Sequence, residues 1–353
     1  MTRAVVFPVF IPHAGCPFQC VYCNQFAVTA QAAVPTPEQL QSQLDAWLPI
    51  HGQGEIAYYG GSFTLLPDSL QRTLLGVAGD FIARGRARGI RLSTRPDGLT
   101  TEQLRRLADY PISTVEVGCQ SFSEPVLSAS GRGCQVVEMV AGVERLRAIT
   151  AWRVGLQLMP GLPGATPGEA LDSMLVALQL APDFLRIYPT LVLRGTALDV
   201  LFQSGTYRPL SLDAAVELVA RMTAMAEQAG IPVERAGLQG EPGWGAGLGS
   251  LRSGPYHPAF GQLVRSRHWL RVLERLLGSS PAACEIRVPR RLLGDALGHR
   301  RANLDCLTSR FGVAAITACD ALDEETFEVN QVIYNRREQL AKTYLGSRHE
   351  PTC

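Results

Sequence analysis

AVVFPVFIPHAGCPFQCVYCNQ, residues 4–25, is the stretch on which the reading of this chain turns. Its first part, AVVFPVFIP, is an apolar run that reads as a strand. Its second part carries Cys16, Cys20 and Cys23 in a CxxxCxxC spacing, in a segment that Pro17, Gln19 and Asn24 make polar and turn-like. Free cysteine is most often a buried packing residue. A polar loop fed directly by a strand is a different setting. It gathers three thiolates and leaves one corner of a metal cluster without a protein ligand. A [4Fe–4S] cluster ordinarily takes four cysteine thiolates; held by three, it keeps one iron open to an exogenous ligand. Cys16, Cys20 and Cys23 are therefore the candidate metal ligands.

Working outward, β-rich apolar runs recur at residues 4–11, 55–59, 90–94, 112–117, 153–159 and 184–188. Helical stretches separate them at 37–48, 67–84, 101–109, 136–149 and 167–179. The first of these has Thr36 as N-cap, Pro37 at the first helical position and Gln39 three residues after the cap. Apolar strands alternating with amphipathic helices specify an α/β fold with a parallel sheet and helices outside it. Six such units close part of a (β/α)8 barrel. The site of such a barrel lies at the carboxyl ends of its strands. Cys16, Gly60-Gly61-Ser62, Arg95, Gln120, Gln157 and Tyr188 all fall there.

The rest of the chain is read as two further parts. Residues 1–236 form the partial barrel, 237–256 a glycine-rich linker with an alternative reading as a substrate loop, and 257–353 a small C-terminal α+β domain. In the last, a helix at 259–277 precedes a β-α-α-β pattern at 284–288, 291–297, 302–311 and 313–318, and a final helix spans 325–345. Cys284, Cys306 and Cys319 lack any CxxC pair and read as buried thiols, as do Cys119 and Cys134.

The 353 residues carry a net charge of +1, so no global field recruits an acidic partner. Lys342 is the sole lysine. No stretch has the length of a transmembrane helix, and the N-terminus lacks a small-residue cleavage site. Nine cysteines without a signal peptide indicate metal ligands and reduced thiols, hence a cytoplasmic location.

CxxxCxxC after a first barrel strand, with the glycine pair of YYGGSF after the second, resembles the radical S-adenosylmethionine (SAM) superfamily. The resemblance implies one [4Fe–4S] cluster with three cysteine ligands, SAM on the open iron, and cleavage of SAM to a 5′-deoxyadenosyl radical. It implies that Gly60, Gly61 and Ser62 receive the methionine amino group and that Tyr22 packs near the adenine. In VEVGCQSFSEPVLSASGRG (115–133), it places Gln120 on the ribose and Arg132 on the methionine carboxylate, for which a planar guanidinium is suited. Gln157, in GLQLMPGLPG, matches a second ribose-contacting position.

RLSTRPDGL, LMPGLPG and RIYPTLVLRGTAL also resemble the radical domain of the elongator catalytic subunit, over about residues 5–235. Arg95, Asp97 and Tyr188 match motif positions near the mouth. The elongator subunit has a longer cysteine spacing and a C-terminal acetyltransferase. The likeness is therefore to short bacterial elongator-like proteins, and acetyl transfer to uridine is not carried over. The segment VPRRLLGDALGHRRANLDCLTSRFGVAAI resembles a KH RNA-binding core, with Gly298-His299-Arg300-Arg301 at the position of GxxG. This implies an RNA-binding surface including Arg291, His299, Arg300 and Arg301, within residues 286–310, where six arginines stand against two aspartates.

The expected partners are SAM, an RNA or tRNA substrate, and an electron donor such as flavodoxin or ferredoxin, with no membrane. Two alternatives compete with an RNA enzyme. One is a radical SAM oxidoreductase of small molecules, similar to oxygen-independent coproporphyrinogen oxidase; that family carries a further Cys where this chain has Asn24 and Gln25. The other is a non-catalytic haem or cluster carrier of the same fold.

Overall fold

A computed structural model describes residues 5–24, 33–49, 52, 54–238, 240, 249–278 and 284–346. Contacts divide the chain into two compact units, 1–209 with 240–254, and 210–239 with 255–353.

In unit 1, six parallel strands pair in chain order: β1 (Val6–Phe10), β2 (Glu55–Tyr59), β3 (Gly89–Thr94), β4 (Ile112–Gln120), β5 (Arg153–Leu158) and β6 (Phe184–Ile187). They coincide with the six expected runs, with β4 continuing three residues farther. The helices Pro37–Trp47, Asp68–Ala83, Thr101–Leu107, Val136–Arg147 and Pro167–Gln179 lie where amphipathic periodicity put them. Three start on a threonine cap. Thr36 and Gln39 form a reciprocal capping box (Gln39 N–H to Thr36 Oγ1 3.3 Å, Thr36 N–H to Gln39 Oε1 2.9 Å), while Thr100 and Thr166 accept from Gln103 and Glu169. Leu40, Leu74, Leu75, Phe81, Met139 and Met174 turn their helices' apolar stripes into the core. All-parallel pairing with every connection helical makes this the partial barrel that the pattern specifies.

The expected boundary at 236 is not where contacts divide the chain. Helix Leu212–Gln228 belongs to unit 2: its Ala224 enters the same apolar cluster as Trp269, Leu273, Ile286 and Phe327, and its Thr223 bonds His268. Of the expected linker 237–256, residues 239 and 241–248 lie outside the described residues. Its end returns to unit 1, where Leu251–Ser253 pairs antiparallel with Val192–Leu193.

Unit 2 contains helix Phe260–Leu277, then Cys284–Pro289, Leu293–Leu297, Ala302–Phe311 and Val313–Cys319, giving the expected β-α-α-β order with the two strands parallel. Cys284 and Cys319 are buried there, and in unit 1 Cys119 and Cys134 are buried too. Cys306 is half-buried. The final helix is shorter than expected. Residues 325–345 form a hairpin, Thr326–Val329 against Val332–Asn335, before helix Arg336–Tyr344. Asn330 and Gln331 both take positive φ (49° and 66°), as a two-residue hairpin turn of matching twist requires. The β-branched and aromatic alternation of TFEV and VIYN then overrides the helical reading. No helix among the described residues is long and apolar enough to cross a membrane.

Candidate functional site

The cysteine loop is held by backbone interlock with the turn after β2. Ile11 N–H donates to Tyr59 C=O (2.7 Å), His13 N–H to Gly60 C=O (2.9 Å) and Ser62 N–H to Ala14 C=O (2.9 Å). Gly61 has to be glycine, because a Cβ there would stand 2.4 Å from Ala14 O and 2.5 Å from Ile11 O. Gly15 faces the reciprocal constraint, with Ser62 O 2.2 Å from where its Cβ would be. The glycine pair was expected to admit a ligand; the contact it visibly admits is the cysteine loop itself. Ser62 is buried, and its Oγ lies 3.3 Å from Cys16 Sγ.

The second half of the loop is fixed from two other elements. Val21, between Cys20 and Tyr22, donates its N–H to Ser130 C=O (3.0 Å) and accepts from Leu198 N–H (2.8 Å). Leu198 lies in the first turn of helix Ala197–Gln203, where Asp199 accepts from Gly195 N–H and from Arg252 Nε (2.8 Å) on the returning segment. Val192, Leu198 and Tyr207 form a small buried cluster against which Val21 and Tyr22 pack.

Arg132 stands at the centre. One Nη donates to Gly118 C=O; the other lies 3.4 Å from the Tyr22 hydroxyl and 3.7 Å from Cys20 Sγ. Its Nε is buried with no partner, and it has no carboxylate partner among the described residues. Arg95 does not reach outward as expected of a cofactor contact. It binds Asp97 in bidentate fashion (2.9 and 3.0 Å) and donates to Arg132 C=O (2.6 Å), leaving Nη1 buried without a partner. Its guanidinium lies over the Phe18 ring at 5.1 Å. Gln157 Nε2 donates to Gln120 Oε1 (3.0 Å), so the two ribose candidates meet each other, and Gln120 is held at φ 72° where β4 ends. Burial pushes the Tyr22 phenol above its ordinary range, an effect that the Arg132 charge opposes, and pushes the Cys119 thiol up to about 12.

A buried guanidinium without a counter-charge is costly, and an incoming carboxylate relieves it. The orphaned donors of Arg132 and Arg95 thus fit an amino-acid carboxylate at this point. No three His, Cys, Asp or Glu side chains among the described residues converge like ligands of a single metal ion. A [4Fe–4S] cluster takes each thiolate on a different iron and so sets them farther apart. Three thiols on one loop can each serve a different iron in this way, beside a guanidinium that has no carboxylate partner among the described residues.

Sequence reasoning did not find the charged interior below this site. Tyr59, Arg91, Glu116 and Arg186 meet inside the strands, where a barrel is ordinarily filled by branched apolar residues. Each lies in a strand beside buried neighbours: Ile90 and Leu92 flank Arg91, Val115 and Val117 flank Glu116, and Leu185 and Ile187 flank Arg186. A charge at the opposite parity of such a strand can face only the lumen, and that was the available signal.

In unit 2, Arg300 and Arg301 both hold positive φ (53° and 66°) and are exposed, with no acidic partner among the described residues. The His299 ring meets that of His257 edge-on at 5.1 Å. Arg291 does not join them; it pairs with Glu324 at 3.0 Å. Arg287, Arg290 and Arg310 are likewise paired, with Glu328, Asp320 and Glu274.

The sequence profile of the radical SAM superfamily matches residues 10–177, and that of the radical SAM C-terminal domain matches 182–269. A tRNA uridine(34) acetyltransferase of Dehalococcoides mccartyi is 26% identical over 247 residues, 60% of this chain and 54% of that protein. Elongator complex protein 3 of Saccharomyces cerevisiae is 35% identical over 141 residues, 39% of this chain and 25% of that protein. Among solved structures, archaeal Elp3 of Methanocaldococcus infernus superposes with a TM-score of 0.56 at 19% identity, covering 75% of this chain and 63% of that one. The chain spans about half or less of the length of these curated relatives, and the structural likeness is one of fold.

Proposed function

The chain belongs to the radical SAM superfamily, and from that premise we propose that it is an RNA-acting enzyme in which Cys16, Cys20 and Cys23 hold one [4Fe–4S] cluster and SAM occupies the open iron. A cluster bound there would supply the electron for reductive cleavage of SAM, the chemistry with which this superfamily removes hydrogen from its substrates. The chain's own residues bind and orient. Arg132 receives the methionine carboxylate, and its orphaned Nε is the observation that carries this reading. Arg95, locked on Asp97, holds the Arg132 backbone in place. Gln120 and Gln157, joined amide to amide, present the ribose contacts. Tyr22 lies beside both Arg132 and the Val192 cluster and so provides a wall for the adenine. Gly60, Gly61 and Ser62 keep the cysteine loop in register with β2 and face the amino group. The electron comes from a small carrier of the flavodoxin or ferredoxin type.

RNA is the substrate class for two reasons. Two relatives are named for tRNA uridine(34) acetylation and for the elongator complex, and unit 2 presents Arg300 and Arg301 without acidic partners among the described residues. Anaerobic incubation with dithionite and SAM yields 5′-deoxyadenosine on this reading, and a cluster or haem carrier yields little. For the RNA, binding of bulk tRNA is followed over several salt concentrations. The slope of log affinity against log salt flattens by about 2 when Arg300→Glu and Arg301→Glu are combined. An unchanged slope and affinity removes RNA contact at that loop.

A further inference from the structure

The three nitrogens of the Arg132 guanidinium have three different surroundings. Nη2 donates to Gly118 C=O in the last part of β4. Nη1 donates to the Tyr22 hydroxyl (3.4 Å) and to Cys20 Sγ (3.7 Å), and Nε has no partner. The residue is only 5% exposed, and no carboxylate among the described residues balances its charge. Arg95, whose Nη2 donates to Arg132 C=O, is different, because Asp97 binds it in bidentate fashion. The three candidate ligands differ too. Cys20 is buried, whereas Cys16 and Cys23 are half-buried. The neighbour of Cys16 is a neutral hydroxyl, Ser62 Oγ at 3.3 Å. The one buried cation of the site without a balancing acid thus donates to the one buried thiol of the cysteine loop.

We propose that Arg132 sets the reduction potential of the cluster by donating to the Cys20 thiolate, and so makes the cluster easier to reduce. The proposal rests on the reading of Cys16, Cys20 and Cys23 as cluster ligands. It adds a duty toward the cluster that is in force before any carboxylate reaches Nε. Reduction adds one negative charge to a cluster, and the potential follows net charge, burial and hydrogen bonds to the sulfurs. A cation that donates to a ligand sulfur favours the more negative state, and a charge-assisted hydrogen bond does so more strongly than a neutral one. Burial of both partners keeps water from screening the effect. The bond from Nη2 to Gly118 C=O tethers the planar fork to β4, so Nη1 stays beside Cys20. With Nη1 on the thiol and Nε left over, one cation serves the cluster and the carboxylate by different atoms.

A redox titration of the anaerobically reconstituted full chain, followed by electron paramagnetic resonance in the absence of SAM, reads this duty. Arg132→Gln makes the reduction equilibrium less favourable by at least about tenfold, a fall of about 59 mV for one electron. Arg132→Lys keeps the charge and returns the midpoint toward the wild type. A cluster-loaded Arg132→Gln within twofold of the wild type overturns the proposal, as does an Arg132→Lys midpoint no higher than that of Arg132→Gln. A second measurement needs no variant to load its cluster. Pulsed resonance of the reduced wild type, grown with nitrogen-15 arginine, shows a labelled nitrogen coupled to the cluster, and absence of that coupling overturns the proposal equally. Iron content of the same samples reports on the proposed function separately. A loaded cluster whose potential ignores residue 132 defeats this inference alone, whereas a wild type that takes no cluster defeats the proposed function and this inference with it.

Discussion

The arginines of the two units differ in where their charge goes. In unit 1, Arg91, Arg95 and Arg132 are buried, each held by several partners, and only Arg132 lacks a carboxylate among the three. In unit 2, Arg287, Arg290, Arg291 and Arg310 meet acids at the surface, where an ion pair is worth about 0–1 kcal/mol. Arg300 and Arg301 meet none among the described residues. A chain whose basic residues are almost all arginine cannot be read by counting them. On the proposed reading, burial with unmet donors suits Arg132 to a charged ligand, whereas exposure with a strained backbone suits Arg300 and Arg301 to a surface contact of modest strength per residue.

Removing the buried charge sharpens the contrast most. Arg132→Ala leaves the SAM carboxylate without its partner, and such truncations cost about 2–5 kcal/mol, or roughly 30-fold to several thousandfold in affinity. Equilibrium dialysis of SAM against reconstituted protein reads this directly, and an affinity within a few-fold of wild type denies Arg132 the role. Arg291→Ala in unit 2 sheds an exposed pair and shifts stability by less than about 1 kcal/mol.

A backbone comparison comes next. Gly61→Ala drives a methyl into two carbonyl oxygens that belong to the cysteine loop and cannot move independently. Overpacking of this kind costs about 1–3 kcal/mol, read as a lowered urea midpoint together with poorer iron retention. Gly76→Ala is the control. It lies in helix Asp68–Ala83 with nothing within 4 Å of the new methyl, and gains up to about 1 kcal/mol. Equal behaviour of the two variants would mean that the loop and the β2 turn are not interlocked.

In unit 2, Arg300→Gly with Arg301→Gly relieves two left-handed non-glycine residues, whose conformation costs roughly 1–2 kcal/mol each. Part of that returns through the unfolded chain's added freedom, so a net gain of about 1 kcal/mol is expected. The same variant weakens RNA binding, so stability and affinity move in opposite directions. A variant that loses both indicates a structural role only.

The smallest effect is one of pH. Burial lowers the His268 pKa below its usual 6.5, while Nε2 bonds Ala220 C=O at 2.8 Å. The unfolded chain therefore binds the proton more readily, and this group contributes stability above pH 6.5 that is lost as pH falls toward the lowered value. His268→Gln flattens that part of the stability curve. A slope unchanged by the substitution assigns the acid sensitivity to other groups.

Much of this was legible in the residues. Six apolar runs and the Thr36 cap located the parallel strands and their helices, and CxxxCxxC with the glycine pair pointed to the candidate site. Three features were not legible, each for a physical reason. The hairpin at 326–335 is closed by Asn330-Gln331, which lacks the glycine that usually announces such a turn. Helix Leu212–Gln228 belongs to unit 2 through Ala224 and Thr223, contacts that no local pattern records. Arg91, Glu116 and Arg186 were passed over because a single charge in a strand reads as surface until both neighbours are known to be buried.

The central claim is that three thiols hold a cluster whose fourth iron takes SAM. Electron paramagnetic resonance of the anaerobically reduced protein, recorded without and with SAM, tests it most directly. The account predicts the signal of a reduced [4Fe–4S] cluster that SAM perturbs in the wild type and only weakly in Arg132→Ala, and that disappears when Cys16, Cys20 and Cys23 are replaced by Ala. A signal indifferent to SAM, or one that survives loss of the three cysteines, contradicts it.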